Sequence, residues 1–512
     1  MGNQDKMPLV EALKSYSQKA PAYFCIPGHR FGRGISPELV SENTKDFLRF
    51  DLTESTGLDD LHQPHGVIKE AQELMAQLFR VRKSFFLING TTCGNEAMIL
   101  STVKAGDKII VPRNMHKSVL SGLILSGATP VFVMPKWIHE WGIWGGISSL
   151  KVRELLREQP DIKGVLMVTP SYYGIVTNIA KISQRCHEFG CLCMVDEAHG
   201  AHLYFSNELP KGALTSGADM CVQSFHKVTG SLTQSSVMQV MSEKIDYGLL
   251  QRNLQMLQSS SPSYLLMASL DAARYELAQN GQQMCDKALE LARYARSEID
   301  KIVGINCLSE KIIGKYEISD MDMTRLVITA VDIGFSGFEL RDMLINDYNV
   351  EVELADHHNI LAILTFANTK EEVTTIIEAL KDIANKNRKK QDDDARLKRV
   401  GNMKTEQGNR KSDTGDNKEQ LANIKTPPLP KMRLTPREAH FAPKRKIFWR
   451  EAVDKVAGEA IIPYPPGIPV VYPGEVISRE VWDYVEQFRK AKCHFHGALD
   501  KEIEGEINIV EC

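Results

Sequence analysis

From about residue 84, short apolar runs alternate with stretches of helical periodicity, and this alternation constrains the fold more than any other feature. The segments between the runs, such as GNEAMILSTVKA and NIAKISQRCHEFG, have the spacing of amphipathic helices. The runs with the length and composition of buried strands are 84–89, 107–112, 129–134, 164–169, 191–196, 219–224 and 235–240. Strands that alternate with helices form parallel sheets covered by helices. The sequence therefore predicts an α/β fold with a mainly parallel seven-stranded sheet.

Changes of pattern and composition predict how the rest of the chain is organised. A long helical region over about 243–301 is followed by a β-α-β-β-α pattern, and almost no apolar residue occurs in about 385–420. A last helix is expected at 478–490. The predicted units are an N-terminal segment (1–80), a large domain (81–305), a small α+β domain (306–384), a disordered charged linker (385–440) and a C-terminal domain (441–512).

Bulk properties exclude several classes of function. The formal net charge of -3 shows no basic excess of the kind that nucleic-acid binding requires. The N-terminus lacks the apolar core of a signal peptide, and no run approaches the roughly 18 apolar residues of a spanning helix. The 10 cysteines have no paired CxxC spacing, so we expect neither a disulfide framework nor a metal site. A cytoplasmic protein with a small-molecule ligand is the expectation.

Polar residues follow the first two predicted strands, at the sheet edge where ligands of parallel sheets bind. Gly90, Thr91 and Thr92 open a helix after the first strand, and free backbone N–H groups and hydroxyls there can bind a phosphate. His116 follows the second strand. Taken alone, the threonines are equally typical of an ordinary helix cap, and the histidine of a packing residue.

A carboxylate and a lysine follow two later strands. Asp196 ends the strand at 191–196, with His199 three residues further on, and Lys227 follows Ser224 and His226 behind the strand at 219–224. A buried carboxylate needs a cationic or hydrogen-bonding partner. Burial lowers the pKa of a lysine, and a neutral lysine amine forms Schiff bases with aldehydes. Together with the phosphate donors and the flat ring of His116, these groups meet the requirements of pyridoxal 5'-phosphate.

The lysine lies within a longer pattern that is specific. VQSFHKVTGSLTQSS, at 222–236, fits at every position the lysine signature of the ornithine/lysine/arginine decarboxylases, which are pyridoxal phosphate enzymes of the aspartate-aminotransferase fold (fold type I). Segments 24–34, 51–72 and 465–475 look like terminal motifs of the same family. The chain resembles this family over most of 5–384 and 447–490.

The resemblance implies a role for each candidate residue. Lys227 would form the Schiff base with the cofactor, Asp196 would pair with the pyridine nitrogen, and His116 would stack on the ring; these three are the catalytic candidates. The phosphate would be bound by Thr91, Thr92, Ser224 and His226, and His199 would lie near the phenolic oxygen. The distal cation of the substrate needs an acid, for which Glu475 is the first candidate and Asp59 or Asp60 the second. A helix cap or a turn is the alternative role of each acid.

The resemblance implies decarboxylation of a basic L-amino acid to its diamine. Arginine, converted to agmatine in polyamine biosynthesis, is preferred because short members that lack an N-terminal receiver-like wing, as this chain does, are often arginine decarboxylases. Lysine and ornithine are alternatives, followed by another fold type I enzyme, such as an α-oxoamine synthase or an aldolase-like lyase, and by a non-catalytic relative. The family builds its active site across a dimer interface, so residues 1–80 are expected to contribute to both, in a homodimer or a multiple of dimers.

Overall fold

The computed structural model describes residues 4–19, 21–41, 44, 46–401, 426–464, 468–490, 494–496 and 505–511. The first part of the chain forms, in order, α1 (Pro8–Lys19), α2 (Val67–Phe79), β1 (Lys83–Leu87), α3 (Gly90–Leu100), β2 (Lys108–Pro112), α4 (Lys117–Ser126), β3 (Thr129–Val133), β4 (Trp137–Ile138), β5 (Ile143–Trp144), α5 (Ser149–Glu158), β6 (Ile162–Val168), β7 (Ile175–Thr177), α6 (Ile179–Glu188), β8 (Leu192–Asp196), β9 (Met220–Gln223), α7 (Phe225–Val228), β10 (Ser236–Val240), α8 (Tyr247–Leu257) and α9 (Tyr264–Ile299).

The second part begins with the small domain and ends near the C-terminus. Its elements are β11 (Asn306–Cys307), β12 (Ile318–Met321), β13 (Arg325–Thr329), α10 (Gly337–Tyr348), β14 (Leu354–Ala355), β15 (Asn359–Ile363), α11 (Lys370–Gly401), α12 (Pro436–Phe441), β16 (Lys444–Phe448), β17 (Ile462–Tyr464), α13 (Arg479–Lys490), β18 (His494–His496) and β19 (Glu506–Val510).

All seven predicted strands are present and form one sheet in the order β1-β10-β9-β8-β6-β2-β3. The five strands from β9 to β3 are parallel, whereas β10 is antiparallel to both of its neighbours. Side chains alternate between two cores: Ile109 and Val111 of β2 pack on the face covered by α3, α4 and α8, and Ile110 packs on the face covered by α5 and α6. The predicted α/β fold with a mainly parallel sheet is confirmed.

The small domain follows the predicted β-α-β-β-α order. Its antiparallel sheet has the order β11-β13-β15-β14, and α10, α11 and the end of α9 enclose its core. The long helical region predicted over 243–301 consists of two helices, α8 and α9. The antiparallel pairs β4–β5 and β7–β12 were not predicted, because strands of two to four residues carry too little periodicity to recognise.

Helix α11 extends past residue 385, into the segment predicted to be a disordered charged linker. Helix α11 continues to Gly401, because Lys, Arg, Gln and Ala favour helices and the first turns are anchored by the buried Val373, Ile377 and Leu380. The i,i+4 pair Lys386–Asp382, at 2.9 Å, adds to it. Residues 402–425 lie outside the described residues. Helix α12, which lies within the predicted linker, begins with a capping box formed by Thr435 and Glu438.

The C-terminal part packs around a core of its own and against the large sheet. Trp449, Val471 and Val481 belong to that core, and α12 lies against α4. No helix in the described residues has the length and apolar character needed to cross a membrane.

Candidate active site

A cleft of about 1660 Å³, including its open mouth, lies at the carboxyl ends of β8 and β9. Topology explains its position, since the loops that follow parallel strands meet at one edge of the sheet. The structure brings all eight residues that the sequence nominated for the cofactor to this cleft: Thr91, Thr92, His116, Asp196, His199, Ser224, His226 and Lys227.

Lys227 lies in the single helical turn α7 that follows β9. Its Nζ atom is 3.0 Å from Nε2 of His199 and 5.3 Å from the ring centroid of Tyr172. Burial lowers the pKa of Lys227, and the positive charge of Arg325 acts in the same direction, while Asp196 opposes both. A lower pKa increases the share of neutral amine, which is the form that attacks an aldehyde.

Asp196 is a buried carboxylate at the end of β8. Its Oδ2 accepts a hydrogen bond of 2.8 Å from Nδ2 of Asn95 in α3, and its Oδ1 accepts one of 3.2 Å from the backbone N–H of Ala198. Within the described residues, no cationic side chain comes within ion-pair distance of it. A buried anion that is positioned by neutral donors and faces a cleft suits a protonated ring nitrogen.

Small hydroxylated side chains and a helix N-terminus converge at one end of the cleft. Gly90 begins α3 with a φ of +72°, a left-handed conformation that glycine adopts without strain. The hydroxyl of Thr91 contacts that of Ser224, and it lies 3.0 Å from Oγ of Ser236. With Thr92 beside them, these hydroxyls and the N–H groups of the first helical turn suit a phosphate.

Two histidines of the cleft have lowered pKa values. Burial lowers the pKa of His116, and burial together with the charge of Lys227 holds the pKa of His199 well below its usual range. The Nδ1 atom of His116 accepts a 3.2 Å hydrogen bond from the backbone N–H of Ser118, which fixes its ring at the start of α4. The ring of His199 packs against Tyr172 with centroids 4.4 Å apart. Its buried Nδ1 has no hydrogen-bond partner among the described residues, so it is available to a bound group.

The three acids nominated for the substrate do not line this cleft. Both oxygens of Glu475 accept hydrogen bonds from Arg113, at 2.5 and 2.8 Å. Asp59 accepts from the backbone N–H groups of Gly66 and Ile68 at the start of α2; burial alone would raise its pKa, but such backbone hydrogen bonds lower it. Asp60 accepts from the backbone N–H of His62 at 2.8 Å. Contact of these acids with a substrate stays a prediction.

Several residues that line the cleft were not nominated from the sequence, among them Asn95, Tyr172 and Glu353. Asn95 lies one helical turn after Thr91, a spacing that could have indicated it. Tyr172 and Glu353 come from a loop and from the small domain, and their side chains meet in a hydrogen bond from the tyrosine hydroxyl to Oε1 of the glutamate. No local pattern marks either one, because only the tertiary fold brings them to the cleft.

The residues present fit pyridoxal phosphate at each of its functional groups. Hydroxyls and a helix N-terminus match the phosphate, Asp196 matches the pyridine nitrogen, a neutral histidine matches the ring, and Lys227 matches the aldehyde. The described residues contain no group of three His, Cys, Asp or Glu side chains arranged to hold a metal ion. The fold and the site together define a pyridoxal phosphate-dependent enzyme of fold type I.

Comparison with known proteins identifies the family. The model of the Orn/Lys/Arg decarboxylase major domain matches residues 7–372, and the model of the C-terminal domain of the same family matches residues 418–510. The chain therefore belongs to the Orn/Lys/Arg decarboxylase family, and it is a pyridoxal phosphate-dependent carboxy-lyase, as the sequence predicted.

Individual relatives support the same assignment. The chain is 37% identical over 500 residues to an arginine decarboxylase of Halalkalibacterium halodurans, covering 98% of this chain and 97% of the relative. It is 36% identical over 483 residues to an arginine decarboxylase of Bacillus subtilis, covering 94% of each chain. The crystal structure of the lysine decarboxylase of Francisella novicida has the same fold, with a TM-score of 0.82 at 20% identity, covering 98% of this chain and 81% of that one.

Proposed function

We propose that this chain decarboxylates L-arginine to agmatine, with Lys227 as the residue that binds the cofactor. The observation that carries the proposal is the placement of the Lys227 amine, with its lowered pKa, in one cleft with the buried carboxylate of Asp196. Arginine is the preferred substrate because the two relatives named above as arginine decarboxylases match this chain over nearly their whole lengths.

Each nominated residue has a role in this proposal. Bound pyridoxal phosphate supplies an aldehyde and a ring that accepts electrons. Lys227 would hold the cofactor at its aldehyde, and its amine, 3.0 Å from Nε2 of His199, is placed to move protons. Asp196 would pair with the pyridine nitrogen, and His116 would pack on the ring. The residues that would bind the phosphate all line the cleft: Thr91, Thr92, Ser224 and His226.

The proposal also covers the oligomeric state of the protein, its location and its pathway. We propose a homodimer, or a multiple of dimers, that works in the cytoplasm in polyamine biosynthesis. Large apolar side chains near the N-terminus support an interface between copies, since Phe24 is 88% exposed and Leu39 is 79% exposed. Such side chains are more stable against a second protomer than against water.

A carbon dioxide release assay with arginine, lysine and ornithine in parallel tests the proposal. The purified protein loaded with pyridoxal phosphate should release carbon dioxide fastest from arginine, and agmatine should accumulate in equal amount. Lys227→Ala should lose turnover and the visible absorbance of the lysine-bound cofactor. Preference for lysine or ornithine would overturn the substrate assignment, and no release from any of the three would overturn the decarboxylase function itself.

A further inference from the structure

We infer that Glu353 binds the distal cation of the substrate and so determines the specificity of this cleft for basic amino acids. The inference rests on the proposed function, because it takes Lys227 as the point at which the amino-acid end of the substrate is held. It gives a role to a carboxylate that neither the lysine signature nor the terminal motifs of the chain contain.

Only two of the described residues that line the cleft carry a carboxyl group, Asp196 and Glu353. Asp196 is buried and held by Asn95 and by the backbone N–H of Ala198, in the position that suits the ring nitrogen. Glu353 is exposed at the side of the cleft formed by the small domain. A cationic group that enters the cleft therefore meets Glu353 as its available acid.

The carboxylate of Glu353 is held at a defined place. Its backbone N–H donates to the carbonyl of Leu361 at 2.9 Å, which fixes the residue beside β15, just before β14 begins. Its Oε1 accepts a hydrogen bond from the hydroxyl of Tyr172. The ring of that tyrosine packs on His199 and lies 5.3 Å from the Lys227 amine. One aromatic ring thus separates the acid from the reacting amine.

The chemistry of the substrate matches this arrangement. A basic amino acid held by its α-amine near Lys227 extends its side chain by several ångströms, and about one tyrosine ring separates Lys227 from Glu353. In the part of the chain that the structure describes, Oε2 of Glu353 accepts no hydrogen bond, so one oxygen is available to a new donor. Guanidinium N–H groups bind carboxylates more strongly than neutral donors do. The buried Arg325 donates to the carbonyl of His199 and lies 3.5 Å from Asp322, and among the described residues it makes no hydrogen bond to Glu353.

The test compares Glu353→Gln with a matched control, Glu351→Gln, in the enzyme loaded with pyridoxal phosphate. Glu351 is an exposed glutamate two residues away that does not line the cleft. Loss of one charge-assisted contact in Glu353→Gln should raise KM for arginine about 10- to 100-fold with little change in kcat. Glu351→Gln should have the same KM for arginine as the unaltered enzyme.

Two further measurements separate recognition from a structural role. The visible absorbance of the lysine-bound cofactor should be unchanged in Glu353→Gln, and the affinity for L-citrulline, an uncharged isostere of arginine, measured by its perturbation of that absorbance, should also be unchanged. Tyr172→Phe, which frees Oε1, should raise KM for arginine less than Glu353→Gln does.

Results that overturn the role of Glu353 differ from results that overturn the proposed function. If the unaltered enzyme turns over arginine but Glu353→Gln keeps its KM, loses its cofactor absorbance, or weakens citrulline binding as much as arginine binding, the inference is overturned. If the unaltered enzyme acts on none of the three basic amino acids, the proposed function itself has failed.

Discussion

The buried ion pair between Arg113 and Glu475 leads to the prediction that Glu475 stabilises the docking of the C-terminal domain. The two side chains are 4% and 0% exposed. The guanidinium lies against the rings of Phe132 and Tyr472, 4.8 and 4.3 Å from their centroids. Removing one member of such a pair leaves an uncompensated buried charge, which destabilises by about 3–5 kcal/mol. Glu475→Ala should therefore lower the free energy of unfolding by about that amount.

Thermal unfolding at a fixed, saturating concentration of pyridoxal phosphate measures the effect. The control is Arg479→Ala, which removes an exposed ion pair with Asp483 in the same part of the chain and should change stability by less than about 1 kcal/mol. The double variant Arg113→Met, Glu475→Leu should recover much of the loss, because neither charge is left unpaired. If Glu475→Ala keeps its stability and instead raises KM for arginine, the acid contacts the substrate and the role assigned to this ion pair is refuted.

Three further predictions concern the interior of the large domain. Asp196→Asn should lower kcat by at least about 100-fold with unchanged circular dichroism, because the charge opposite the ring nitrogen is lost while its packing is kept. Burial raises the pKa of Glu197 to about 7 from an ordinary 4.5, so the folded protein binds this proton more tightly than the unfolded chain does. The resulting stabilisation is complete below pH 4.5 and is lost as the pH rises through 7. Glu197→Gln should accordingly flatten the decline in stability between pH 5 and 8, which denaturant titrations at several pH values measure and which an unchanged slope would contradict. Gly94→Ala should lower the free energy of unfolding by about 1–3 kcal/mol and weaken cofactor binding, because the new methyl group would lie 2.6 Å from Cγ1 of Val222 and push α3 away from the sheet. A cofactor titration that finds an unchanged affinity would count against this prediction.

The sheet and the cofactor residues could be predicted because their signals are local. Each strand is a short, mostly apolar run, and each cofactor residue lies at the end of a strand or shortly after it, so Asp196 and Lys227 could be placed before any contact was known. The end of the small domain was harder, because the charged turns of α11 have the composition of a linker and their helical state depends on the apolar turns before them.

The substrate side could not be read from the sequence because its contacts are remote. Arg113 and Glu475 are 362 positions apart, and no sequence pattern around the PGE segment that contains Glu475 indicates that this glutamate has a buried partner. Glu353, in contrast, was not nominated from the sequence, because it lies before a two-residue strand in a stretch without a recognisable motif. Only its contact with Tyr172 in the folded protein brings it to the cleft. Charge alone identified the acids in the sequence, whereas tertiary contacts decide which of them is available.

Chemical trapping of the cofactor tests the central claim most directly. Borohydride reduction of the loaded enzyme converts the Schiff base into a stable amine, and mass spectrometry of the digest then locates the modified lysine. The account predicts that the pyridoxyl group is found on Lys227, in the peptide that contains SFHKVTGS, and that Lys227→Ala takes up none. A label on another lysine, or an equal label in the Lys227→Ala variant, would contradict it.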